Sequence, residues 1–159
     1  MNILPLLNAK EPQFLPMPAQ VKETITDTQI LRVIDVNLNR LREALRVIEE
    51  HYRFLHLDKD RAASFKSLRH SLDGIEAGIG REKLLASRDI ASDPFANENR
   101  PEELSRAGAA DVLRANFKRG QEAARVLEEY AKVSPAPGLS QTAKTVRFSL
   151  YSLEKEISE

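Results

Sequence analysis

The 159-residue chain has no cysteine, which excludes disulfide stapling and thiolate zinc sites and fits a reducing compartment. It has no excess of either charge. Lys plus Arg total 24 and Asp plus Glu total 24, so no global field draws the chain to nucleic acid or to an anionic membrane. No apolar run reaches the roughly 18 residues of a membrane-spanning helix. The opening "MNILPLLNAK" lacks the basic and apolar regions of a secretory signal. Together these absences make a soluble, cytoplasmic protein the expectation. Glycine-rich phosphate cradles, whether Walker-type or G-x-G-x-x-G, are missing, as is a Ser/His/Asp signature. Strand signal is almost absent.

What remains is helical. Four of the eight prolines (Pro5, Pro12, Pro16, Pro18) fall within the first 18 residues, so residues 1–25 read as an extended arm. A first helix is predicted from Thr26 or Asp27, where Thr26 and Gln29 resemble a capping box, to about Leu55. Ile30, Ile34, Leu38, Leu41, Leu45, Ile48 and Tyr52 give it one apolar face. "LDKD" supplies a turn and a cap for a second helix carrying Phe65, Leu68, Leu72, Ile75 and Ile79, which Gly80 stops. A short helix, "REKLLASR", precedes the aperiodic stretch Arg88–Pro101. Pro101, Glu102 and Glu103 are a good first turn for a third helix reaching about Val133. After "SPAPG", Ser140 can cap a fourth helix with Val146, Leu150, Leu153 and Ile157.

The chain also repeats itself. "NLNRLREALRVIEE" (37–50) and "NFKRGQEAARVLEE" (116–129) share Asn, Arg, Glu, Ala, Arg, Val, Glu and Glu at an offset of 79. "KSLRHSLDGIE" (66–76) matches "KTVRFSLYSLE" (144–154) at an offset of 78. The predicted fold is therefore all-α: a bundle of two repeated helical hairpins, 26–80 and 102–159, with approximate two-fold symmetry and a connecting segment 81–101.

At about 100° per residue, Asn37, Arg40, Glu43, Ala44, Val47 and Glu50 form a stripe beside the apolar face, whereas Arg46 and Glu49 turn toward solvent. Asn116, Arg119, Glu122, Ala123, Val126 and Glu129 repeat that stripe. One reading is structural: Arg40 with Glu43 and Arg46 with Glu50 have ion-pair spacing, and the row could be an interhelical network. The other is a ligand site, which the recurrence of a poor helix former, Asn, favours. Between the hairpins, Arg88, Asp89 and Asp93 could hold Mg²⁺ or position a phosphate, or the aspartates could simply form turns. His51, His56 and His70 lack metal-ligand spacing, the first two marking a helix end. Arg69 and Arg147 are equivalent in the repeat and read either as phosphate clamps or as capping or solvated residues.

"VIDVNLNRLREALRVIEEHYRF" (33–54), "RDIASD" (88–93) and "LRANFKRGQEAARVLEEYAKV" (113–133) together resemble a small helical domain of bacterial thiamine biosynthesis. That domain occurs alone or fused ahead of thiamine phosphate synthase. The likeness runs from about Leu31 to Ile157. It implies a hydroxymethylpyrimidine phosphate kinase, which moves the γ-phosphoryl of ATP onto 4-amino-2-methyl-5-hydroxymethylpyrimidine phosphate and leaves the free alcohol alone. With that chemistry as the working hypothesis, Arg40, Arg119 and Arg88 go to phosphate oxygens. Asp89 and Asp93, with Glu43 or Glu122, go to Mg²⁺, and Asn37 and Asn116 to the pyrimidine edge or a phosphate. The family's loop continues with Pro or Val and then Gly, whereas Phe95 follows Pro94 here. The 159 residues contain no synthase barrel, so synthase activity is not carried over.

Two further readings stand beside the kinase: a non-catalytic docking module that grips thiamine phosphate synthase, and a bundle that homodimerises through its hairpins. Phe and Tyr total only nine, which favours small charged ligands over an aromatic docking surface.

Overall fold

The computed structural model describes residues 24–98, 101 and 104–158, so the predicted N-terminal arm lies almost wholly outside the described residues. Among these the regular elements are all helical, without strands: α1 (Asp27–Glu50), a π-helical turn (His51–Leu55), α2 (Lys59–Ile79), α3 (Arg81–Ser87), α4 (Ala109–Ala131) and α5 (Leu139–Ser158).

Helix α1 begins where its sequence says it should. The Thr26 hydroxyl accepts from the Gln29 backbone N–H at 3.3 Å, and the Gln29 side chain accepts from the Thr26 backbone N–H at 2.8 Å. This reciprocal cap satisfies two otherwise orphaned donors, and Asp27 places a negative charge at the positive end of the helix dipole. At the other end the helix widens into the π turn and stops at Leu57, a non-glycine residue at φ +54°. Asp58 then caps α2, accepting from the Arg61 N–H at 2.9 Å. Gly80, at φ +100°, ends α2 in a conformation that a Cβ would disfavour.

Helix α1 is central, packing on α2, α3 and most extensively on α4, which in turn packs on α5. Its predicted stripe is buried: Ile34, Leu38, Leu41, Leu45, Ile48 and Tyr52 join Phe65, Leu72 and Ile75 of α2, Phe117 and Leu127 of α4, and Val146 and Leu150 of α5. Phe65 ties the halves together. Its ring stacks on Tyr52 with centroids 5.7 Å apart and meets Phe117 edge-on at 5.7 Å. Gly120 lies where α4 packs against both α1 and α5. A Cβ there would lie 3.2 Å from Leu150 Cδ1, 3.6 Å from Ala44 Cβ and 3.7 Å from Leu41 Cδ1.

Several expectations need correction. The third long helix does not start at Pro101 but at Ala109. Starting at Pro101 would place Gly108 inside the helix at a cost of about 1 kcal/mol. Instead, the Asp111 carboxylate accepts from the Ala107 N–H at 3.2 Å and favours entry just after Gly108. Ser140 does not cap α5. It lies inside the helix, and its hydroxyl donates to the Glu128 carbonyl at 2.9 Å. Glu49 does not face solvent. It is 2% exposed, because α2 covers that side of α1 and Arg69 reaches it.

The repeat reappears as contacts. Arg69 Nε donates to Glu49 at 2.9 Å, and Arg147 Nε donates to Glu128 at 2.9 Å. Arg46 pairs with Glu50 at 2.6 Å, and Arg125 with Glu129 at 2.9 Å. These ion pairs join α1 to α2 and α4 to α5, or staple a single helix. Arg69 and Arg147 are thus bound within their hairpins rather than serving as phosphate clamps.

Candidate functional site

A cavity of about 610 Å³ opens between α1 and α4. Its lining consists of five repeat pairs, each separated by the offset of 79: Asn37 and Asn116, Arg40 and Arg119, Glu43 and Glu122, Ala44 and Ala123, Val47 and Val126. Helical spacing puts the three polar members of each set on the side of the helix that faces the neighbour but misses the core. The two alanines are buried and let the backbones approach. Alanine and valine together give the cleft an apolar floor.

The asparagines are 7% and 8% exposed. Asn37 Nδ2 donates to the Val33 carbonyl at 2.9 Å, and Asn116 Nδ2 donates to the Val112 carbonyl at 2.8 Å. Each amide nitrogen is thereby committed to its own helix, four residues back. The carboxamide oxygens have no partner among the described residues and, since no unpartnered side-chain oxygen there is buried, remain accessible acceptors.

The four charged residues of the cleft behave differently from the paired arginines of the bundle. Arg40, Glu43, Arg119 and Glu122 form no ion pair or side-chain hydrogen bond with any other described residue. The Arg40–Glu43 pair allowed by the spacing is not made. By contrast, Arg42 bonds Glu76 at 2.7 Å, and Arg46, Arg69, Arg125 and Arg147 all have carboxylate partners. Glu50 and Glu129, expected on the same stripe, are used by Arg46 and Arg125 and do not line the cleft. Two guanidinium groups and two carboxylates therefore face one cavity uncommitted.

Arg88, Asp89 and Asp93 are not brought to this cleft. The Arg88 fork grips Asp35 of α1, with Nε–Oδ2 at 2.7 Å and Nη2–Oδ1 at 2.9 Å, and these bonds raise the guanidinium pKa further. Arg32 completes the staple, donating to the Ser87 carbonyl at 3.1 Å and the Ser92 hydroxyl at 3.2 Å. Asp89 accepts from the Ser92 hydroxyl at 2.7 Å and from its N–H at 3.2 Å, and the hydroxyl bond leads in lowering its pKa. Asp93 accepts from the Phe95 N–H at 3.0 Å. Both aspartates thus close turns, as one of the two sequence readings had it. Among the described residues, no group of three or more His, Cys, Asp or Glu could hold a metal ion.

Asp35 was not foreseen as the partner of Arg88, because its repeat counterpart is Arg114 and nothing local signals a contact across more than 50 residues. Elsewhere, the π turn brings His56 Nε2 to 3.1 Å from His51 Nε2. Burial first, and His56 second, lower the pKa of His51. No helix of the described residues is long and apolar enough to cross a membrane.

Comparison with known proteins places the chain. The model of the ThiD2 family matches residues 32–156. A thiamine-phosphate synthase of Gloeobacter violaceus is 42% identical over 130 residues, 82% of this chain and 37% of that protein. The enzyme of the same name from Thermosynechococcus vestitus is 42% identical over 130 residues, covering 82% and 36%. That from Nostoc punctiforme is 39% identical over 140 residues, covering 88% and 38%. The chain thus spans little more than a third of the length of these relatives. No solved structure gives a significant match. These names correct one expectation. Relatives at about 40% identity over most of the chain are called thiamine-phosphate synthase, not hydroxymethylpyrimidine phosphate kinase, and the kinase assignment is withdrawn.

Proposed function

The chain belongs to the ThiD2 family, and from that membership we propose that it serves thiamine biosynthesis as a helical module associated with thiamine-phosphate synthase. The observation carrying this reading is the shape of the match. Nearly all of this chain corresponds to a minor part of proteins bearing the synthase name, so the helical unit accompanies the synthase rather than replacing it. The α1–α4 cleft gives the module a place for a small charged metabolite of the pathway, since its four charges are uncommitted within the fold.

Size-exclusion chromatography with light scattering tests the association. The chain, mixed with a thiamine-phosphate synthase that lacks a helical region of its own, is expected to elute as a complex of defined stoichiometry. Separate elution at micromolar concentrations of both would end the proposal. Melting curves with ATP–Mg²⁺ decide the nucleotide expectation. A ligand of the folded module raises the melting temperature at saturation, and an unchanged curve removes ATP from its ligands.

A further inference from the structure

We infer that the outward face of α5 and the groove beside it receive a second copy of this chain, the two α5 helices lying antiparallel about a two-fold axis at the level of Leu150. This goes beyond the association with the synthase and does not depend on it.

Helices α2 and α5 touch only slightly, with Leu139 of α5 against Gly78 of α2, and a groove of about 1060 Å³ runs between them. Its walls are small side chains: Ser64 and Ser67 of α2, and Thr145, Ser149 and Ser152 of α5. The hydroxyls of Ser64 and Thr145 donate to the Asp60 and Gln141 carbonyls of their own helices, so the groove offers room more than hydrogen bonds. Its charged residues, Lys144 and Glu156, stand about 18 Å apart along the helix, too far to converge on one small ligand. Neither has an ion-pair partner among the described residues, and the Lys144 ammonium lies 5.9 Å from the Phe148 ring centroid. Phe148 lines the same groove and is 52% exposed.

This face of α5 is complementary to itself. In an antiparallel pair centred on Leu150, residues equally far from 150 on either side face each other. Lys144 then meets Glu156 of the partner subunit, and Phe148 meets Ser152 of the partner subunit. The two-fold axis makes each contact twice. Opposite charges meet at both ends, and a large ring lands on a small wall. Helix α2 carries no such pattern: the repeat counterparts of these four residues are Lys66, Gly78, His70 and Gly74, without the acid or the aromatic ring. A half-exposed aromatic beside a groove of small side chains suits an association surface.

Sedimentation equilibrium and light scattering of the full chain test this. The mass is expected to rise with concentration to twice the 17.9 kDa of one chain. Lys144→Glu and Glu156→Lys should each weaken the dimer at least about tenfold, because either sets like charges opposite each other. The variant carrying both reversals should regain most of the lost affinity. Ser152→Arg, at an exposed position, should abolish the dimer while the helical circular-dichroism signal is kept.

A monomer at every concentration up to about 1 mM overturns the inference. So does a dimer indifferent to Ser152→Arg, which places the interface elsewhere, or a double reversal that restores nothing, which removes the antiparallel register. If the parent is monomeric and Ser152→Arg loses the synthase complex, the groove belongs to the synthase. If the parent is monomeric and Ser152→Arg only melts lower, a segment of the same chain fills the groove. A dimer without a synthase complex ends the association with the synthase and leaves this inference standing.

Discussion

Glu49 of α1 accepts a 2.9 Å hydrogen bond from Arg69 Nε of α2 while its side chain is only 3% exposed. A carboxylate removed from water is tolerable because the guanidinium beside it neutralises and bonds it. Removing the cation alone is therefore worse than removing the pair. Arg69→Met is expected to cost about 3 kcal/mol, as for other buried charges left without a partner. Glu49→Leu combined with Arg69→Met should recover most of that loss. Urea midpoints of the parent and of both variants measure the difference. A double variant as unstable as Arg69→Met would contradict the account.

Gly120 breaks the repeat where the fold needs it broken. Its counterpart is Leu41, which is fully buried, whereas a Cβ at 120 would already crowd Leu150 at 3.2 Å. Restoring the repeat with Gly120→Leu should overpack the contact between α1, α4 and α5 and destabilise by about 1–3 kcal/mol. Gly120→Ala sets a gain in helix propensity against a contact that Leu150 must relax to accommodate. It should fall between the parent and the leucine variant in the same urea series.

Much of this was legible because it is local or periodic. The Thr26 capping box depends on residues three apart, and the buried stripe of α1 depends on a period that the sequence displays directly. The cleft was legible for another reason: duplication marks Asn37, Arg40 and Glu43 by writing them twice. What failed depends on tertiary neighbours. Helical spacing alone turned Glu49 toward solvent, because it cannot know that α2 covers that side of α1. The entry to α4 is set by Asp111 reaching back to Ala107, which competes with a plausible first turn at Pro101. Arg88 seemed free in a loop until Asp35, 53 residues earlier, met it.

Acid should weaken the fold in two separate steps. Burial, reinforced by His56, lowers the pKa of His51 below the ordinary imidazole value of 6.5. The imidazole is neutral in both states above that pH. As pH falls through 6.5 the unfolded chain takes up the proton first, so stability declines until the folded-state pKa is passed. The carboxylate step comes lower. Burial raises the pKa of Glu128, but the hydrogen bond and charge of Arg147, with help from Arg125, outweigh it and hold the value below 4.5. Its contribution therefore persists above 4.5 and is lost as pH drops further. Melting temperatures from pH 7.5 to 3 should show both declines. His51→Gln should remove the upper one and leave the lower. An unchanged upper decline in that variant would assign it to another group.

Arg40 and Arg119 should behave unlike every paired arginine of the bundle. Neither has a partner among the described residues, so truncating either to alanine removes no ion pair or hydrogen bond from that part of the fold. What changes is a solvent-facing side chain in mid-helix, for which alanine is at least as good a helix former. Each substitution should shift stability by no more than about 0.5 kcal/mol. Denaturant curves for both variants, run beside Arg69→Met, make the comparison within one protein. If Arg40→Ala or Arg119→Ala proves as costly as Arg69→Met, these residues hold the helices together, and the charged row of the cleft is an interhelical network after all.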